Sequence, residues 1–138
     1  PNGGYGHPDH IQVHRVGTEA AELAGVDRVY WATMNRTRIQ ELMAESEELR
    51  ESIDEERAEN AESEEFGLPE DDITHAIDVS AVLDRKRAAM AAHASQISAE
   101  DFFLTLPADA FAAAFGTEWF VAPGWPRHGG EFGTDLFT

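Results

Sequence analysis

Residues 2–14 read NGGYGHPDHIQVH and place His7, Asp9, His10 and His14 within eight positions, behind a glycine-rich turn. Imidazole is the commonest zinc ligand, and a neighbouring carboxylate can fix its tautomer or raise its basicity. His10 and His14 stand four apart, the spacing that brings two side chains to one helical face. The same residues also suit a polar loop that caps a helix. A catalytic zinc needs three protein ligands and this stretch offers two at most, so spacing alone leaves both readings open.

The neighbouring sequence predicts how these side chains are displayed. Gly3, Gly4 and Gly6 accept backbone angles closed to other residues, so NGGYG reads as a turn. PDHIQVHRVGTEAAELAG reads as a helix, with Pro8 in its first turn, Asp9 at its positive end and Gly25 just past its C-terminus. Ile11, Val13, Val16, Ala20 and Leu23 supply its apolar positions. His7 then precedes the helix, and Asp9 and His10 occupy its first turn, a placement suited to facing a cleft.

Farther along, Asp27–Met34 is rich in β-branched and aromatic residues and reads as a strand. A helix from Asn35 aligns Ile39, Leu42, Leu49 and Ile53 on one face. Residues 55–72, EERAENAESEEFGLPEDD, read as a frayed helix end and a loop. ITHAIDVS is a second short strand, AVLDRKRAAMAAHASQI a helix, FFLTLP a short extended piece, ADAFAAAFG a helix closed by Gly116, and TEWFVAP extended. Two or three strands among four helices need more sheet partners than this chain supplies, which predicts part of an α/β protein.

The 138 residues, 42% of them hydrophobic, suit one domain with a real core. No apolar run approaches the roughly 20 residues that span a bilayer, so the expectation is a soluble, cytoplasmic protein. The net charge of −17 argues against nucleic acid and anionic membranes as partners. Between Glu41 and Asp72, 15 acidic residues face only Arg50 and Arg57, which places −13 of the −17 there. That run reads as a solvated, self-repelling surface rather than a dedicated binding tail. The absence of cysteine excludes disulfides, thiolate zinc sites and a cysteine nucleophile within this chain.

Three motifs in order then carry a resemblance: NGGYGHPDHI at residues 2–11, KRAAMAAHASQI at Lys86–Ile97, and GTDLF at Gly133–Phe137. Together they resemble the C-terminal signatures of the LmbE-like or PIG-L family of zinc-dependent N-deacetylases, with Gly133 at or near a position where that family usually has Glu. The resemblance implies an α/β fold, the C-terminal part of a Rossmann-like deacetylase domain, spanning residues 1–138. It implies removal of an N-acetyl group from a small-molecule amino-sugar substrate, with Zn(2+) as cofactor. By resemblance His10 is a zinc ligand, His7 a general acid or oxyanion donor, Asp9 the carboxylate that orients His7, and Tyr5 a hydroxyl that polarises the scissile carbonyl. His93 and Gln96 fall on the second motif as candidates for a supporting shell or a substrate rim, and His14 is read as a packing residue.

The family's AHPDD-type motif, which supplies two further ligands and the general base, has no counterpart in the sequence. The expectation is therefore a chain that lacks its N-terminal sheet half and is inactive alone. Two other readings remain: a non-catalytic acidic α+β binding module, and an amidase acting on thiol S-conjugates.

Overall fold

The computed structural model describes residues 2–45, 55–127 and 130–137. A four-residue turn, α1 (Gly3–Gly6), whose angles at Gly4 and Tyr5 are not helical, leads into α2 (Pro8–Leu23). α2 starts and stops where its sequence signals it. Pro8 occupies the first turn, where a missing N–H costs nothing, and Asp9 meets the positive end of the helix. At the far end Gly25 takes a φ of +64°, Gly25 N donates to Glu22 O and Val26 N to Ala21 O, a Schellman closure that satisfies two terminal carbonyls.

The remaining elements are β1 (Trp31–Thr33), α3 (Arg36–Glu45), α4 (Glu55–Glu62), β2 (His75–Asp78), α5 (Leu83–Ala91), α6 (Phe102–Thr105), α7 (Ala108–Phe115) and β3 (Thr117–Val121), with short 3-10 turns at Glu70–Asp72 and Ser80–Val82. The architecture mixes helices with one small sheet, consistent with the expected α/β class. The sheet is antiparallel throughout, in the order β1-β3-β2. Trp31 pairs with Val121 and Thr33 with Trp119 on one side of β3, and His75 pairs with Phe120 and Asp78 with Thr117 on the other.

Several expectations are corrected. Asp27–Met34 contributes only three strand residues, because β3 offers β1 no partners beyond Val121. Glu55–Glu62 is helical rather than frayed: Ala61 is buried and its carbonyl accepts from Gln40 Nε2 at 3.4 Å, so Ala61 faces α3 while Glu59 and Glu62 are exposed. FFLTLP starts as a helical turn, since Asp101 caps it by accepting from Phe103 N at 3.1 Å. The helix around Lys86 stops at Ala91, short of Ile97. Leu49 and Ile53 lie outside the described residues.

The core gathers Leu42 of α3, Leu106 just after α6, and Phe111 of α7, with Leu83, Met90 and Phe102 packed around them. Arg87 lies over the Phe111 ring at 4.1 Å and donates to Leu106 O, so its charge is spent on holding α6 and α7 to α5. The buried polar groups at and near the sheet are paired. Asn35 accepts from Arg38 N at 2.9 Å, which caps α3, and donates to Glu70 Oε2 at 3.0 Å. His75, 1% exposed, has Nδ1 2.8 Å from the Thr74 hydroxyl and packs edge-on to Tyr30. Gly133 lies against the His75 ring so closely that an added Cβ would sit 2.3 Å from Cδ2. A glutamate at Gly133 is therefore incompatible with a histidine at 75 in this conformation.

Candidate active site

The chain turns at Gly3, Gly4 and Gly6, whose φ values of 70°, 82° and 81° other residues rarely adopt. The turn folds back on itself: Gly6 N donates to Asn2 O at 2.9 Å and Gly4 N to the Asn2 side-chain oxygen at 3.1 Å. This reversal sets Tyr5 beside the start of α2. The ring centroids of Tyr5, His7 and His10 lie 5.9, 5.4 and 4.8 Å apart pairwise, so the expected site residues do come together.

The two histidines are held in opposite senses. His7 caps α2, and its Nδ1 accepts from the backbone N–H of Asp9 at 3.2 Å. A neutral His7 bonded in this way carries its proton on Nε2. His10 Nδ1 lies 3.1 Å from Gly3 O. A carbonyl only accepts, so Nδ1 of His10 donates, and in the neutral ring Nε2 keeps its lone pair. That is the state a metal-ligating imidazole needs, with the other ring nitrogen anchored to a carbonyl. The bond between Asp9 and His7 runs through the Asp9 backbone, and the Asp9 carboxylate is exposed.

Tyr5 and His10 open onto a groove of about 570 Å³ between α2 and β1, which Val13, His14, Trp31 and Met34 also line. His14 packs edge-on against Trp31 at 4.6 Å, and its burial lowers its pKa below the usual histidine value. It behaves as the packing residue that the sequence suggested. Thr18 Oγ1 and Trp31 Nε1 are buried in the groove wall with no hydrogen-bond partner among the described residues.

His93 and Gln96 depart from expectation. They follow α5 in a turn where Gln96 N donates to His93 O at 2.8 Å, and both are exposed. Neither lines the groove that Tyr5 and His10 share. Asn2, which sequence reasoning left unassigned, turns out to be the hub of the histidine turn. Its partners, Glu65 and Gly67, lie more than sixty positions away, so no local pattern announced it.

Among the described residues no group of three or more His, Asp or Glu is close enough to hold a metal ion. His10 therefore stands in this region without a second and third potential ligand among the described residues.

Three relatives from Acidothermus cellulolyticus, Saccharomonospora viridis and a Nocardioides species align with the chain. They are 38%, 37% and 35% identical to it over 122, 148 and 156 residues, covering 87%, 99% and 99% of this chain. Each carries the name 1D-myo-inositol 2-acetamido-2-deoxy-alpha-D-glucopyranoside deacetylase. The chain is thus similar to deacetylases of this name over most of its own length. The family resemblance read from the three motifs is thereby borne out. The chain spans about half the length of these deacetylases, 42%, 50% and 51% of the three. No family model and no solved structure matches it. Among the described residues no helix is long and apolar enough to cross a membrane.

Proposed function

We propose that this chain forms one wall of the active site of an LmbE-type N-deacetylase, as the C-terminal portion of a Rossmann-like α/β domain. The substrate is an N-acetylated amino sugar of the kind named for its relatives, a glucosaminyl unit joined to inositol. The observation that carries this reading is the His10 tautomer: an imidazole with Nδ1 donated to Gly3 O and Nε2 left open, 4.8 Å from a second imidazole and beside a tyrosine.

Among the described residues no metal site closes, but the chemistry of His10 fits one ligand of a zinc completed by the other half of such a domain. Such an ion, when bound, polarises the acetamide carbonyl and lowers the pKa of its water. The side chains of this chain act around that centre. With Nδ1 of His7 occupied by the Asp9 backbone N–H, the neutral ring offers only its Nε2–H, and this supports oxyanion donation over the delivery of a proton to the leaving amine. Tyr5 adds a second donor on the same side, and the α2 N-terminus adds a positive field for charge that develops there.

The test joins this chain to the half of the A. cellulolyticus deacetylase that has no counterpart here. Zinc content and acetate release from an N-acetylglucosaminyl inositol are then measured. One zinc per molecule and measurable turnover are expected. His10→Ala should lose both, and full zinc in that variant would overturn the ligand assignment. His7→Ala should keep the metal and lower kcat about 10²–10³-fold, the usual cost of one oxyanion donor. Turnover of thiol S-conjugates in place of the amino sugar would transfer the reading to the amidases of the same family.

A further inference from the structure

The histidine turn is held from a distance. Asn2 donates both of its side-chain N–H groups into a loop more than sixty residues away, to Glu65 O at 2.9 Å and Gly67 O at 2.8 Å. Gly67 N returns a bond to Gly4 O at 2.6 Å. Three hydrogen bonds therefore join the turn to the loop, and they grip Asn2 and Gly4, the residues on either side of Gly3. Gly3 contributes the carbonyl to which His10 Nδ1 donates.

The loop is itself anchored. Arg36 Nη1 donates to Ser63 O and Phe66 O at 3.2 and 3.4 Å, Arg36 N to Leu68 O, and Leu68 N to Met34 O, the last two at 2.9 Å. Gly67 has a φ of +56°, and a Cβ there would stand 2.5 Å from Met34 O, so only glycine fits. A continuous chain of bonds thus runs from the start of α3 through residues 63–68 to Asn2, Gly3 and the imidazole of His10. A turn rich in glycine has little conformational preference of its own, and these outside bonds supply what its sequence does not.

We infer that Asn2 is a positioning residue: clasped by the Ser63–Leu68 loop, it aims the Gly3 carbonyl at His10 and so sets the tautomer that leaves Nε2 open. The acidic stretch thereby gains a second role, because its last residues reach the site as backbone acceptors rather than as charges. The value of that tautomer for metal binding rests on the function proposed above, but the tautomer itself does not.

The experiment reads the imidazole ¹⁵N resonances of the 138-residue chain at a pH where the rings are neutral. His10 should show a protonated Nδ1 and a bare Nε2. Asn2→Ala should move His10 toward the Nε2–H form, making Nδ1–H the minor tautomer, while the His75 resonances stay in place and report an intact sheet. Asn2→Asp keeps the acceptor for Gly4 N but loses both donors, and it should shift His10 as Asn2→Ala does. Gly67→Ala should produce the same change from the other side of the clasp. A His10 that stays Nδ1–H in Asn2→Ala with His75 unmoved overturns the proposal, as does an Asn2→Asp chain that matches the parent. The correct tautomer with no turnover in the completed enzyme would defeat the deacetylase reading and leave the clasp standing.

Discussion

Along α2, Val13, Val16 and Leu23 are 71%, 66% and 80% exposed, whereas in the sheet and the C-terminal helices Ile73, Leu106 and Phe111 are 0%, 4% and 2% exposed. Polar groups divide in the same way. Asn35, Thr74 and His75 are buried and bonded, while Thr18 Oγ1 of α2 and Trp31 Nε1 are buried without partners among the described residues. Apolar burial stabilises the region away from the histidine turn. The site region gains its order from hydrogen bonds, namely the Asn2 clasp, the His7 cap and the bond between Gly3 and His10. Stability and site geometry are therefore separable in this molecule, and substitutions can be chosen to strike one and spare the other.

The largest effect belongs to the core. Phe111→Ala should cost about 3–5 kcal/mol in denaturant unfolding, as removal of a fully buried aromatic ring does. A loss under about 1 kcal/mol would show that α7 is not packed as described. Gly133→Ala comes next, at about 1–3 kcal/mol, because the new methyl group meets the His75 ring. Pairing it with His75→Ser should return much of that loss, and strictly additive losses would refute the contact.

The pH response discriminates more finely. Burial lowers the pKa of both His75 and His14 below 6.5, so the unfolded chain binds more protons in the window beneath that value. Stability is then fully present above about pH 6.5 and declines as the pH falls through the folded-state values. Denaturant midpoints should show this slope in the parent chain. It should flatten in His75→Gln more than in His14→Gln, since His75 is enclosed and His14 only half-buried; the opposite order would place the tighter packing in the groove rather than the sheet.

The smallest effect should come from α2. Val16→Ala and Leu23→Ala should each change stability by no more than about 0.5 kcal/mol in the isolated chain. A greater loss that grows with protein concentration would reveal a copy of the chain covering that face.

Local signals were legible in the sequence and distant partnerships were not. The start of α2 at Pro8, its closure at Gly25 and the end of α7 at Gly116 each depend on residues within a turn of the boundary, and all were recovered. Tyr5, His7, Asp9 and His10 could be singled out because one short motif holds them. The role of Asn2 was hidden, because its partners lie beyond sixty positions and are backbone carbonyls that any sequence provides. His93 and Gln96 were misplaced for a related reason. The alanines before them favour helix, but the backbone turns away after Ala91. Glu55–Glu62 was undervalued because its charge masked the buried Ala61 that faces α3.

The sheet order has a consequence for the way the protein is made. β3, the last of the three strands to be synthesised, is the middle one, and β1 and β2 pair with it but not with each other. Within these three strands, neither β1 nor β2 meets β3 until residues 117–121 have emerged from the ribosome. The sheet, and with it the wall behind the histidine turn, must assemble late and from the far end of the chain, after the helices have had time to form on their own.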